Sequence, residues 1–223
     1  MFCVPDSPEP DLSGSDLAGM AASVLTQVSI VIPVAPGETA HQQLLEDLAH
    51  IDSEIIVSSE GSRAKSLNMG AAKASHDILW FLHADSRVSA ENLSALAQVL
   101  EADSGAEASS NALHYFDLAY EGGGLTALNA GGANLRSRLL GLPYGDQGFC
   151  ISKALFNQIG GYPEDTAYGE DLLFVRLSRR AGVQLNRIPS KLATSARKYQ
   201  QQGWLKLTAL RQWQLFKLLR QTL

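Results

Sequence analysis

Apolar positions along this chain fall into two patterns, short unbroken runs and longer stretches with helical spacing. The densest run, Ile78, Leu79, Trp80, Phe81 and Leu82, has no polar alternation. It predicts a strand covered on both faces, and so central in a sheet. The run stops at His83, Ala84 and Asp85. Residues 28–32 (VSIVI), ended by Pro33, and 54–57 (EIIV) are two more strand-like runs. Between them Leu44, Leu45 and Leu48 have helical spacing, with Thr39 and Gln42 placed for a capping box. Ser62 is placed to cap a second helix carrying Leu67, Ala71 and Ala74, and Ser89 a third carrying Leu93, Leu96, Ala97 and Leu100. The order to residue 101 is therefore βαβαβα. It predicts an α/β fold, a mostly parallel sheet with helices on both faces.

The order then changes. Residues 103–111 are small and polar, and 112–120 form a strand reached without a clear helix, which predicts an antiparallel or edge insertion in the second half. A helical stretch over 125–140 precedes Pro143. A short strand over 148–152 and a short helix over 153–159 follow, closed by Gly160 and Gly161. Residues 170–181 read as a helix with Leu173, Phe174, Leu177 and Ala181 inward and Arg176, Arg179 and Arg180 outward. Residues 183–188 read as the last strand. There is no internal repeat.

Composition narrows the function classes. The 223 residues are 45% hydrophobic and 18% charged, with a formal net charge of −5. This is an ordinary globular chain and not a nonspecific nucleic-acid binder. The charge is uneven, since residues 176–223 hold eleven Lys and Arg and no Asp or Glu. Such an end suits a membrane surface or an anionic ligand. Two cysteines, Cys3 and Cys150, support neither a disulfide framework nor a cysteine metal site. Residues 1–16 contain acids but no Lys or Arg, the wrong charge for a secretory leader. No apolar run reaches the ~18 residues of a membrane span. The expectation is a cytoplasmic protein, with peripheral contact to the inner membrane open. Residues 1–23, rich in Ser, Pro, Gly and Asp, are expected to be a disordered tail, 24–200 the folded domain and 201–223 a C-terminal helix.

The candidate chemistry is acidic. Asp85 stands at a strand end, where open α/β sheets bind ligands and a carboxylate can hold a cation; Asp is also a common turn and N-cap residue. Asp146 lies in a Gly-rich turn. Glu170 and Asp171 open a helix, where acids also complement the helix dipole. They follow GYPEDTAYG, a loop able to present them to a ligand.

Four motifs in order carry a resemblance: PVAPGE after the first strand, GSRAKSLNMGAAKASHDILWFLHAD, GDQGFCISKALFNQIGGYPE and GEDLLFVRLSRRAG. Together they resemble the family 2 glycosyltransferases of the GT-A fold, a Rossmann-like architecture, over about residues 28–190. NLRSRLLGLPYGDQG and TSARKYQQQGW resemble a small bacterial subgroup of that family. The resemblance implies a transferase that moves a sugar from a nucleoside diphosphate donor to an acceptor hydroxyl with inversion, using Mg²⁺ or Mn²⁺. His83–Asp85 takes the place of the family's DxD signature, which makes Asp85, with His83 beside it, the metal site. Glu170 and Asp171 take the place of the pair that supplies the general base, Asp171 first. Pro33, Glu60, Arg63, Asn68, His83, Asp85, Asp146 and Gln147 are expected at the nucleotide-sugar. The sequence also departs from the family. An Asp-rich turn is expected after the second strand, but EIIVSS runs straight into EGSR, with Glu60 as the substitute acid.

Two alternatives belong to other classes. A non-catalytic nucleotide-sugar binding or assembly protein would keep the fold with a degenerate donor site. A nucleotidyltransferase would need a basic Gly-rich phosphate loop near the first strand, and none is present. Residues 204–223 read as a basic amphipathic helix, with Leu205, Thr208, Ala209, Gln212, Leu215, Phe216 and Leu219 on one face and Trp204 and Trp213 as interface rings. That helix fits a membrane surface, the domain's own sheet, or a second subunit in a homodimer. Donor sugar, base and acceptor are not encoded in these motifs.

Overall fold

The computed structural model describes residues 23–104, 111–122, 124–166 and 168–197, with Thr208 and Trp213. Residues 1–22 of the expected tail over 1–23, and most of the expected helix over 201–223, lie outside the described residues. The elements are β1 (Val28–Pro33), α1 (His41–Leu48), β2 (Glu54–Ser58), α2 (Arg63–Lys73), β3 (Ile78–Phe81), β4 (Ser86–Arg87) and α3 (Ala90–Ser104). They continue with β5 (Ala112–Tyr120), α4 (Leu125–Leu140), a 3-10 turn (Gly145–Gln147), β6 (Phe149–Ser152), α5 (Lys153–Ile159), α6 (Glu170–Arg180) and β7 (Gln184–Thr194).

One seven-stranded sheet runs in the order β2-β1-β3-β6-β5-β7-β4. Strands β1, β2, β3, β5 and β7 share one direction, and β6 and β4 oppose it. Both faces are covered, as the unbroken run in β3 requires. Trp80 and Leu82 point into one core with Ile30, Ile32, Leu44, Leu48, Leu96 and Phe116. Leu79 and Phe81 point into the other with Val31, Leu67, Phe156 and Phe174. Alternate residues of a strand serve opposite faces, so five consecutive apolar residues satisfy two cores.

Four expectations change. The antiparallel insertion expected in the second half is present as β6, whereas β5, expected to be that insertion, runs with the parallel strands. Strand β5 is internal, antiparallel to β6 and parallel to β7, and is preceded by the long helix α3. Strand β7 runs on to Thr194 through Pro189. A register shift after Phe116 and Ile188 accommodates the proline, which has no N–H for the ladder. Thr39 does not cap α1: its carbonyl takes the Gln42 N–H at 3.1 Å, so the helix begins at His41 with Ala40 at the cap and no side-chain bond. In α6 the buried residues are Leu172, Phe174, Val175 and Ser178, and Leu177 faces outward, because the face laid on the domain is turned about one residue further round the helix than the apolar spacing suggests. The predicted caps Ser62 and Ser89 are formed, accepting from Lys65 and Asn92 N–H at 3.2 and 3.3 Å. No described helix is long and apolar enough to cross a membrane.

Helix α2 carries the residues that reach the site, and β1 holds it by close approach. A Cβ at Gly70 would lie 2.3 Å from Val31 Cγ1. The far end of α2 is fixed by Glu54, whose carboxylate accepts from Ser29 Oγ at 2.5 Å, from Ser75 N–H at 2.8 Å, and from Ser75 Oγ. Burial pushes the Glu54 pKa up, but the bonds from Ser29 and Ser75 outweigh it and bring it down to about 2. A carboxylate with a lowered folded pKa stabilises above its unfolded value, and that stability is lost as pH falls through the folded one. Glu54→Gln should therefore lower the unfolding free energy at pH 7 by about 2 kcal/mol. In denaturant titrations the deficit should shrink as pH falls from 4.5 toward 2.

Candidate active site

Strands β1 and β3 are neighbours whose connections leave in opposite directions, β1 toward β2 on one side and β3 on the other. At such a switch point the crossover chains part beyond the strand C-termini and leave a crevice. Here it is a cleft of about 200 Å³. Pro33, Val34, Ala35, Pro36 and Glu38 line it from β1, Gly61, Ser62, Arg63 and Ser66 from the start of α2, and His83, Ala84 and Asp85 from β3. The N-terminus of α2 faces this space with its positive dipole end, a favourable wall for an anion.

Asp85 is fixed through its backbone: its carbonyl accepts from Ser195 N–H at 3.1 Å and Thr194 Oγ at 3.4 Å. Its carboxylate makes no hydrogen bond or ion pair with a described residue, so it is free to serve a ligand in the cleft. Glu38, by contrast, is paired with Arg197 at 3.1 Å.

A second cleft of about 340 Å³ adjoins the first, lined by Ser62, Arg63, Ala64, Thr166, Tyr168, Gly169, Glu170 and Asp171. Ser62 and Arg63 belong to both. Arg63 reaches across to α6, with Nη2 3.1 Å from Asp171 Oδ2 and Nε 3.4 Å from Glu170 Oε1. His83 Nε2 lies 3.9 Å from the same Asp171 oxygen, in reach of its charge but beyond hydrogen-bond distance. Burial pulls the Arg63 pKa down, and Asp171, Glu170 and Asp146 more than reverse this. The guanidinium stays charged. Burial and the neighbouring Asp171 charge raise the Glu170 pKa, against Arg63, which lowers it.

The 3-10 turn completes the arrangement. A Cβ at Gly145 would lie 2.5 Å from Asp171 Cγ, so only glycine lets the turn lie against that carboxylate. The same turn brings Asp146 within electrostatic range of Arg63. Gln147 is fully buried: its Oε1 accepts from Ser137 Oγ at 2.7 Å and Tyr144 N–H at 3.1 Å, and its Nε2 donates to Phe116 O at 2.8 Å. It anchors the turn and lines neither cleft.

Of the residues expected at a ligand, Pro33, Arg63, His83 and Asp85 share the first cleft, and Glu170 and Asp171 the second. Asn68 is elsewhere. Its Nδ2 donates to Tyr162 O at 2.9 Å and Glu164 Oε1 at 2.8 Å, and its Oδ1 accepts from Tyr162 N–H at 2.9 Å. It pins the loop that precedes α6. Glu60 is exposed and paired with Lys73 at 3.4 Å. Sequence reading missed Gly145, whose role depends on a partner twenty-six residues on, and Tyr168, which lines the second cleft. The signal for Gly145 was present in the spacing of GLPYGDQG from the acidic pair, but only the fold brings them together.

Two outcomes follow from this packing. Gly145→Ala should cost about 1–3 kcal/mol in denaturant unfolding. Gly131→Ala, where an added methyl meets nothing within 4 Å, should be neutral or stabilising by up to about 1 kcal/mol. Equal effects would remove the Gly145–Asp171 contact from the account. For Glu170 the raised folded pKa means that its stabilising contribution is present below the unfolded value of 4.5 and lost as pH rises through the folded one. Glu170→Gln should then melt about 2–4 °C higher than the parent at pH 8, with the gap closing toward pH 4.

Among the described residues no cluster of three or more His, Cys, Asp or Glu side chains is arranged for a metal ion. A cation in the first cleft would therefore take one carboxylate, that of Asp85, and draw its other ligands from a phosphate-bearing molecule and water. The free Asp85 carboxylate fits that donor set.

Comparison with known proteins agrees with the fold. TarS of S. aureus (residues 1–349) superposes with a TM-score of 0.57 at 14% identity, over 77% of this chain and 61% of that one. A mannosyltransferase from Pyrobaculum calidifontis, in complex with GDP-Man and Mn²⁺, gives 0.55 at 12% identity, over 77% and 57%. TarS with UDP-GlcNAc gives 0.51 at 15%, over 75% and 58%. The chain thus spans less than two thirds of each of these structures. No curated protein matches its sequence significantly. The family model "Glycosyl transferase family 2" matches residues 29–150, 122 of the 223 residues and so more than half: the chain belongs to glycosyl transferase family 2.

Proposed function

We propose that this protein transfers a sugar from a nucleoside diphosphate donor, bound in the first cleft, to an acceptor hydroxyl bound in the second. The observation that carries the reading is the free carboxylate of Asp85 in one cleft, linked through Arg63 to the carboxylate of Asp171 in the next. The donor's diphosphate lies against the N-terminus of α2 and the Asp85 carboxylate. Asp85 would hold Mg²⁺ or Mn²⁺ there, and the cation would supply positive charge for the departing diphosphate. The GDP-Man and Mn²⁺ found in one similar fold support a donor and cation of this kind.

The acceptor oxygen attacks the anomeric carbon from the side of Asp171, which takes its proton. The bond from that carbon to the diphosphate oxygen breaks, and the electron pair leaves with the nucleoside diphosphate. Attack opposite the leaving group inverts the anomeric centre. Arg63 keeps Asp171 in place while its own charge faces the first cleft. His83, 3.9 Å from Asp171, sits between the two ligands and can donate to a phosphate oxygen.

Asp85→Ala should abolish Mn²⁺-dependent binding of nucleoside diphosphates in calorimetric titration, with an unchanged melting temperature. Asp171→Asn should keep that binding and reduce nucleoside diphosphate release from the sugar donor by at least about 10²-fold. Binding without turnover in the parent protein would favour a non-catalytic nucleotide-sugar binding protein. Unchanged affinity in Asp85→Ala would return that residue to a turn cap.

A further inference from the structure

Helix α4 is amphipathic in the reverse sense. At about 3.6 residues per turn, Thr126, Ala130 and Ser137 lie on one line of the helix, and these small residues are the ones it buries. Leu128, Leu135 and Leu139 lie on the opposite line. They point away from the protein and are 58 to 73% exposed. An apolar ridge of this kind is uncommon on a soluble surface and marks an interaction site.

The domain does not hold α4 by its leucines. Asn134 bonds both backbone groups of Leu118 in β5, accepting at 2.7 Å and donating at 3.0 Å. Ser137 bonds Gln147 at 2.7 Å, and Arg179 Nη1 donates to Leu140 O at 2.9 Å at the helix end. Nor is the described contact of Thr208 with α4 made on the ridge. Thr208 Oγ accepts from Asn129 Nδ2 at 3.0 Å, and Asn129 lies about a quarter turn off the leucine line. Trp213, further along the chain, is exposed too.

Charge selects the occupant. The helix contains no Asp or Glu, and Arg136 and Arg138 stand on either side of the leucine line. Arg136 donates to Leu142 O over the Tyr144 ring, and Arg138, half exposed, shares the single carboxylate of Asp117 with Arg187, so the group keeps a net positive charge. Leucines between flanking arginines are the pattern of a helix lying in a lipid headgroup region, its apolar edge in the acyl boundary and its cations at anionic headgroups. A twofold contact through the same ridge would bring the arginines of two copies together instead. Arg179 at the end of α4 and Arg187, which shares Asp117 with Arg138, add positive charge beside the helix.

We propose that the outer face of α4 docks on an anionic membrane surface, so that the acceptor sugar-accepting group is carried by a lipid. The second half of this statement rests on the transfer reaction proposed above. The site is placed for it. Helix α4 runs through Leu142 and Tyr144 into the Gly145 turn that touches Asp171. Leu142 and Leu172 pack with Tyr144 and Tyr168, and Tyr168 lines the second cleft. A buried apolar cluster thus lies between the C-terminal end of α4 and the cleft that receives the acceptor.

The test uses the full chain and flotation with vesicles of phosphatidylcholine alone or mixed with phosphatidylglycerol. The parent protein should bind the anionic vesicles and be released by salt. The variant Leu128→Ser/Leu135→Ser/Leu139→Ser should lose at least about tenfold in vesicle affinity, with melting temperature and Mn²⁺-dependent nucleoside diphosphate binding in solution unchanged. That solution binding reads the donor site alone, so failure of the membrane proposal and failure of the transferase reading remain distinct. A parent protein that binds no vesicles overturns the proposal, as does a variant that binds them as well as the parent. A parent dimer in light scattering that the three substitutions dissolve also overturns it, and assigns the ridge to a second copy.

Discussion

The site depends on one cation. Arg63 stands between two clefts, with Asp171 and Glu170 on one side and Asp146 within range of its charge. Acids this close repel each other, and burial raises the cost of ionising them. Without the guanidinium the acidic pair at the start of α6 would lose the partner that holds both carboxylates in place. With it, Asp171 keeps one position against Gly145. The link also joins parts of the chain far apart in sequence, because α2 follows β2 whereas α6 comes after the strand-order reversal at β6. A single side chain therefore couples the end that receives an anion to the carboxylate that can take a proton.

Much of this was legible in the sequence. The run from Ile78 to Leu82 required cover on both faces, and the two cores confirm it residue by residue. Helix caps at Ser62 and Ser89 followed from local chemistry, since a side-chain oxygen three residues before an N–H needs no distant partner. Asp85 and the acidic pair, singled out by the family resemblance, lie on two adjoining clefts, because they stand at strand and helix ends that motifs mark.

What was hidden depended on distant partners. Strand β5 looked peripheral from its connection, and its central place is set by pairing with β6 and β7, which the local sequence does not encode. Pro189 looked like the end of a strand, but a bulge carries β7 past it. Asn68 and Gln147 read as ligand contacts, since a polar residue in a site motif shows its chemistry but not its partners. The structure spends both on backbone groups far along the chain. Helix α4 was visible as a helix, yet which face it buries follows from Asn134 and Ser137 reaching β5 and the turn, against the pull of its own leucines.

The central claim is that Arg63 and Asp171 act as one unit, which a double-mutant cycle on donor turnover measures directly. Nucleoside diphosphate release would be followed for the parent, Arg63→Met, Asp171→Asn and the double variant, with the donor from a nucleotide-sugar panel that the parent turns over fastest. Residues acting together give non-additive losses, so the double variant should fall within about threefold of the worse single variant. A double variant whose loss equals the product of the two single losses would show that Arg63 and Asp171 act independently, and would contradict the account.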